Sequence, residues 1–323
     1  MSDITYAFAI GPGILSQQAR WLLQSIEANT DATEDDIVSY LVLSEKEKIS
    51  DETIEYFKQH STLIEGEMPN PDYPLSAAHA ALEMATKESK HEYTMLLDTD
   101  TVVLDNITLH QDSDAELLLV PEPISTNYWA DTDQSLDSWR ALYEQYDIAF
   151  PGLQVESTIH DQAMPPYFNS GVIISQNNTK FSEEYLRFSK KIHSTLSHHN
   201  YYSDMVSLGL ISNKYHIETL PEAYNYLQKA HVSSPPNNVK ILHYIKPMNL
   251  YRSLRNPTIS SRLQETTIQH YFESIPKRKL YSGLIRSYVK AYELENPDSH
   301  LSNIISNLID IQFKTRDIAS KYR

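Results

Sequence analysis

Residues 93–107 read Tyr-Thr-Met-Leu-Leu-Asp-Thr-Asp-Thr-Val-Val-Leu-Asp-Asn-Ile. An apolar run over 93–97 stops abruptly at two carboxylates spaced i, i+2, Asp98 and Asp100. A short continuous apolar run is the pattern of a strand covered on both faces, and such strands belong to parallel sheets packed between helices. Open α/β sheets bind their ligands beyond the carboxyl ends of the strands. The pair Asp98/Asp100 therefore stands where a ligand is expected, and hard oxygen donors there suit Mg²⁺ or Mn²⁺ bridging to a diphosphate. A D-x-D alone is common in an acidic chain. Asp131-Thr132-Asp133 is read as a chance occurrence, because no strand precedes it.

Upstream, the chain alternates strand and helix patterns. Residues 4–10 form a β-rich run, followed by Gly11-Pro12-Gly13 and a helical pattern over 17–26 with Trp21, Leu22 and Ile26 on one face. A second strand is expected at 37–43, a helix capped by Ser50 or Asp51 running to 60, a short strand at 63–65, and an Ala-rich helix over 74–89 with Ser76 as its cap. Repeated β-α-β units with right-handed crossovers give a mostly parallel sheet.

Downstream, 116–120 reads as another strand, 136–146 as helical, 168–175 as a strand and 181–197 as a helix. The stretch 121–167 is long enough to wall a substrate rather than merely connect two elements. Its aromatics Tyr128, Trp129, Trp139 and Tyr143 are expected either to line an acceptor or to pack the sheet edge. Residues 258–323 read as wholly helical (260–274, 279–294 and 297–322), which divides the chain into a catalytic domain at 1–257 and a helical subdomain at 258–323.

Composition excludes several chemistries. There is no cysteine, so disulfides, thiolate metal sites and a cysteine nucleophile are ruled out. The 7 glycines fall at positions that form neither a G-x-G-x-x-G turn, a P-loop nor a G-x-S-x-G elbow. Apolar runs are too short to cross a bilayer and nothing resembles a signal peptide, so a cytoplasmic protein is expected. The net charge of −16 argues against nucleic-acid binding. It is unevenly spread: residues 240–323 carry 14 Lys and Arg against 7 Asp and Glu. A basic tail beside an acidic body fits an anionic partner or a membrane surface, and equally a solvated accident. In that tail Leu280, Leu284 and Tyr288, with Tyr281, Ile285 and Val289 beside them, form one apolar helix face, suited to packing on the body, to homodimerisation or to a peripheral membrane contact.

Further motifs accompany the carboxylate pair. Tyr167-Phe168-Asn169-Ser170-Gly171-Val172-Ile173-Ile174-Ser175 puts a polar triplet at the mouth of a strand, with Gly171 allowing close approach of a ligand or a neighbour. Leu220-Pro221-Glu222-Ala223-Tyr224-Asn225 ends a short strand in a turn, and Ile241-Leu242-His243-Tyr244-Ile245-Lys246-Pro247 sets an imidazole and an ammonium three residues apart.

In that order, these segments resemble the GT-A glycosyltransferases, within them the retaining family-8 type that includes glycogenin and bacterial lipopolysaccharide galactosyl- and glucosyltransferases. The resemblance covers about residues 3–250. It implies a GT-A fold, Rossmann-like, with a mostly parallel central α/β sheet flanked by helices; the all-helical C-terminal extension lies outside it. It implies a sugar moved from a nucleotide-diphosphate donor, a UDP-sugar, to a glycan or lipid-linked acceptor in polysaccharide biosynthesis. Carried over, Asp98, Asp100 and His243 hold Mn²⁺ or Mg²⁺, and Lys246 pairs with the diphosphate. Ala9, Ile10, Gly11 and Thr99 lie at the nucleotide, while Asn169 and Asp204 face the anomeric carbon. The family's later motif reads H-F-x-G-x-x-K-P-W, whereas this chain has His243-Tyr244-Ile245-Lys246-Pro247, shorter and without the glycine or tryptophan. The family's D-Q pair corresponds to Tyr202-Ser203-Asp204-Met205, which would put Asp204 at the glutamine's position. Two other readings stay open: a non-catalytic nucleotide-sugar-binding scaffold, and a sugar nucleotidyltransferase, disfavoured because 11–20 holds a single basic residue.

Overall fold

The computed structural model describes residues 4–109, 113–123, 136–152, 154–157, 159, 163–195 and 202–295. Its centre is a seven-stranded sheet. The strands are β1 (Ile4–Ile10), β2 (Ile37–Val42), β3 (Thr62–Gly66), β4 (Tyr93–Leu97), β6 (Leu117–Pro121), β9 (Phe168–Gln176) and β10 (Ile217–Thr219), in spatial order β10-β6-β9-β4-β1-β2-β3. Neighbours run parallel except at β9, which is antiparallel to both β4 and β6. Every residue of β2, β4 and β6 is buried, which is why these strands read as mostly apolar runs, with Ser39 and Thr94 as buried polar interruptions.

Helices cover both faces. On one side lie α1 (Ile14–Asn29) and α2 (Asp51–His60); on the other lie α3 (Ser76–Glu88), α4 (Leu136–Gln145), α5 (Phe181–Thr195) and α6 (Ser203–Ser212). The arrangement is a mostly parallel α/β sheet flanked by helices, as expected, with strand and helix boundaries mostly within a few residues of those read from the sequence. Ser50 caps α2 through its hydroxyl, which accepts from Thr53 N–H at 3.3 Å. Ser76 is not a cap. It is the first residue of α3, and its hydroxyl accepts from Asn70 N–H instead, closing the preceding loop.

A second, three-stranded sheet is formed by β5 (Thr101–Val103), β11 (Tyr226–Leu227) and β12 (Ile241–His243), with β12 antiparallel to β5 and parallel to β11. A two-stranded ribbon pairs β7 (Val155–Glu156) with β8 (Ala163–Met164). The C-terminal part is helical: α7 (Pro247–Ser253), α8 (Pro257–Arg262), α9 (Ile268–Ser274) and α10 (Lys277–Glu295). The single helix expected over 260–274 is thus two, broken where Leu263, Gln264 and Thr266 turn. The expected helix at 297–322 lies outside the described residues.

These helices share a core with the body. Trp21 leaves the sheet-facing stripe of α1 formed by Leu22 and Ile26 and joins Leu242, Tyr244, Leu250, Ile259, Leu263 and Phe272. Its ring meets the edge of Tyr271 at 4.9 Å between centroids. The apolar face expected on α10 is divided in the same way: Leu280 and Leu284 are buried, while Tyr281 (64% exposed) and Ile285 (49%) face solvent. Leu280 enters the shared core and Ser287 hydrogen-bonds to Asn249 of α7.

Candidate active site

Leu97 ends β4, and the chain turns through Asp98, Thr99 and Asp100 before β5 begins. The turn is closed by Thr101, whose N–H donates to Asp98 O at 3.0 Å and whose hydroxyl donates to the same oxygen at 2.7 Å. It is pinned from both sides: Asp98 N–H donates to Gly171 O of β9 at 2.9 Å, and Tyr244 N–H donates to Asp100 O at 3.0 Å. The carboxylate pair is therefore the junction between the two sheets. Pairing of β5 with β12 sets Thr101 opposite His243 and so delivers the imidazole to the carboxylates.

Asp98, Asp100 and His243 each offer a ligand atom, and these atoms lie within 4.8 Å of one another. His243 Nε2 is 3.2 Å from Asp100 Oδ1, yet that nitrogen is buried and makes no hydrogen bond. Burial, and next the Asp100 carboxylate, raises the Asp98 carboxyl to about 7, with the imidazole opposing the rise. Burial would lower His243, but the Asp100 and Asp98 carboxylates outweigh it and its pKa is raised. Two acids crowded against one imidazole, with an orphaned ring nitrogen among them, fit a divalent cation.

The cluster opens into a cleft of about 760 Å³. Ala9, Ile10, Gly11, Thr99, Asn169, Asp204 and His243 all line it. The structure therefore gathers all of the expected site residues into one cleft except Lys246, which is exposed and caps the start of α7. Ile245, before it, does line the cleft and has φ 60°, while Lys246 N–H donates to Tyr244 O at 2.6 Å. This is a γ-turn of the rare positive-φ kind, strained for a β-branched residue. It stands in the segment where the family pattern carries a glycine.

Asp204 lies in the first turn of α6, buried, and accepts from the Ser170 hydroxyl, while its backbone N–H donates to Tyr73 Oη at 3.2 Å. Burial raises its pKa, opposed by the hydrogen bond from Ser170. Asn169 is fully engaged. Its Oδ1 accepts from Gly171 N–H at 3.0 Å and from Asn225 Nδ2 at 2.9 Å, and its Nδ2 donates to Glu122 at 2.7 Å. Asn225 Oδ1 in turn lies 3.1 Å from His243 Nδ1. Gly171 serves a neighbour: a Cβ there would lie 2.3 Å from His243 Cε1.

Glu122 and Lys229 are among the lining residues that escape the sequence reading. Glu122 follows β6 as Asp98 follows β4, an acid at the end of an apolar run, and that pattern could have marked it. Lys229 carries no comparable signal. Burial lowers its pKa, partly opposed by the Glu122 carboxylate, with Lys290 and Lys246 adding to the fall. Of the aromatics expected either to line an acceptor or to pack the sheet edge, Trp139 and Tyr143 are buried core residues. Trp139 stands behind Tyr167, ring edge to face at 5.6 Å, and the Tyr143 hydroxyl donates to Gly209 O at 3.1 Å. Tyr128, Trp129 and the Asp131–Asp133 repeat lie outside the described residues.

Residues 6–216 match the model of the Rhodobacterales glycosyltransferase domain. The chain belongs to this family of glycosyltransferases. The match takes in Asp98, Asp100, Asn169 and Asp204 of the enzyme and ends before Asn225, Lys229 and His243. No curated protein has a matching sequence. Among solved structures, this glycosyltransferase is similar to the glycosyltransferase GlyE of Streptococcus pneumoniae (15% identity, TM-score 0.46, covering 81% of this chain and 63% of that one). It is also similar to the galactosyltransferase LgtC, in complex with donor and acceptor sugar analogues (15% identity, TM-score 0.43, 85% and 98% covered). A third is mouse xyloside xylosyltransferase 1 (12% identity, TM-score 0.43, 75% and 97% covered). The chain spans less than two thirds of the length of GlyE. Among the described residues no helix is long and apolar enough to cross a membrane.

Proposed function

We propose that this glycosyltransferase takes its sugar from a nucleoside-diphosphate donor, a UDP-sugar, with Asp98, Asp100 and His243 holding a Mn²⁺ or Mg²⁺ ion against the diphosphate. The observation that carries the reading is the buried, unsatisfied Nε2 of His243 facing two carboxylates at the mouth of the cleft. When bound, the ion neutralises charge developing on the departing diphosphate.

The chain's own groups do the rest. Leu15, Val42, Pro74 and Leu75 give the cleft an apolar wall on the side of Ala9–Gly11, suited to a nucleoside. Lys229, in the wall, is the ammonium best placed to meet the diphosphate, with Lys246 at its outer edge. Of the other carboxylates in the lining, Asp204 and Glu122 are the ones we assign to the hydroxyls and anomeric carbon of the transferred sugar. Transfer proceeds with retention, by a carboxylate nucleophile or on one face with the leaving phosphate as base. The acceptor is a glycan or a lipid-linked glycan. Tyr281 and Ile285 of α10, near the exposed Lys277 and Lys279, are the groups that would meet a membrane or a second copy of the chain.

A screen for donor hydrolysis over nucleotide sugars, with Mn²⁺ and Mg²⁺ supplied separately, tests the reading. Release of nucleoside diphosphate from one donor, dependent on the ion, supports it; metal-independent release or none from any donor contradicts it.

A further inference from the structure

His243 has two ring nitrogens, and only Nε2 faces the carboxylates. Nδ1 is directed at Asn225, and the hydrogen bonds beyond Asn225 fix what that contact must be. The order of the chain is His243 Nδ1, Asn225, Asn169 and Glu122, joined at 3.1, 2.9 and 2.7 Å.

Side-chain amides can be turned end for end, so their orientation needs an anchor. Asn169 has two. The backbone N–H of Gly171 is a donor only and lies 3.0 Å from Asn169 Oδ1, and the Glu122 carboxylate facing Nδ2 accepts. With Asn169 fixed, its oxygen requires a donor from Asn225, which must present its NH₂. The other end of Asn225 is then oxygen, and an amide oxygen accepts only. The proton of neutral His243 must therefore sit on Nδ1, leaving the lone pair of Nε2 aimed at Asp98 and Asp100.

We infer that Asn225, oriented through Asn169 by Gly171 N–H and Glu122, is a positioning residue that sets the tautomer and ring direction of His243 for cation binding. The inference rests on the proposed metal site. Buried partners that hold a ligand histidine by its second nitrogen typically change metal affinity by about 10–100-fold when removed. The chain is buried throughout: Asn225 is 1% exposed, and Asn169 and Glu122 each 7%. Water is therefore poorly placed to replace a missing partner.

The Kd for Mn²⁺ is measured by calorimetry on the full chain without donor, for wild type, Asn225→Leu and Asn225→Asp. Leucine keeps the volume and removes the acceptor, and is expected to weaken Mn²⁺ by about 10–100-fold. Aspartate keeps an oxygen opposite Nδ1 but loses the donor to Asn169 Oδ1, and is expected to bind Mn²⁺ more tightly than the leucine variant. Equal affinity in wild type and Asn225→Leu overturns the inference while leaving the metal site standing; no Mn²⁺ binding by wild type overturns both. A second measurement needs no metal. Long-range ¹H–¹⁵N correlation of histidine-labelled, metal-free wild type at alkaline pH, assigned with His243→Gln, reports the tautomer directly. A proton on Nδ1 is expected, and a proton on Nε2 overturns the inference.

Discussion

The imidazole of His243 rests on the α-carbon of Gly171. A Cβ built at Gly171 would lie 2.3 Å from His243 Cε1 and 2.6 Å from Nδ1. The ring cannot slide aside freely, because Asn225 holds Nδ1 and β12 holds the backbone. Gly171→Ala therefore overpacks the one ligand delivered by the second sheet. Overpacking costs about 1–3 kcal/mol. The expected outcome is a folded protein, modestly lowered in Tm, with at least tenfold weaker Mn²⁺ binding; unchanged affinity would show that the ring has room to move.

Lys229 and Lys246 divide on position. Lys229 lines the cleft, while Lys246 is exposed at the start of α7. A charge-assisted hydrogen bond contributes about 1.5–3 kcal/mol. Lys229→Ala is expected to weaken UDP about tenfold or more in the presence of Mn²⁺, and Lys246→Ala by only a few-fold, read by calorimetry. The reverse order would return the diphosphate to Lys246.

Much of this was legible in the sequence. Buried strands such as β2 and β4 betray themselves as apolar runs, and the carboxylates Asp98 and Asp100 stand directly after one. What was hidden depends on contacts distant along the chain. Trp21 leaves its helix stripe because α9 brings Tyr271 and Phe272 against it, and nothing local in α1 signals that. Leu284 and Ile285 are equally apolar neighbours, yet one is buried and the other exposed. At the site, Asn169 looked like a residue facing substrate. It lines the cleft, and its hydrogen bonds to Gly171, Asn225 and Glu122, which no local pattern signals, add a second role within the protein. Lys229 was missed because its place in the wall depends on how α7 and α10 pack on the turn that carries it; Arg252 ties Ser287 to the carbonyl of Gln228 there.

His79 supplies a pH-dependent contribution to stability remote from the metal cluster. Its ring is buried in α3 between Tyr185 and Ser189, and burial lowers its pKa from 6.5 to about 3. The unfolded chain then binds more protons than the folded one between those values. The contribution is complete above about 6.5 and is lost as pH falls toward about 3. At pH 5 the loss is about 2 kcal/mol on a scale of 1.36 kcal/mol per pKa unit. Denaturant unfolding at pH 7 and pH 5 is expected to show a smaller acid loss for His79→Gln than for wild type. Equal losses would mean that the ring takes up its proton without unfolding.

The most direct test of the account is donor turnover by wild type and Asp100→Ala across a Mn²⁺ titration, with the fold of both checked by circular dichroism. Asp100 supplies one of the carboxylates and sits 3.2 Å from His243 Nε2. Wild type is expected to release nucleoside diphosphate only when Mn²⁺ or Mg²⁺ is present. The folded variant is expected to lose at least about a thousandfold, in keeping with several kcal/mol of transition-state stabilisation by the metal. A variant active within a few-fold of wild type, or a wild type fully active in excess chelator, would contradict a metal-held diphosphate at this site.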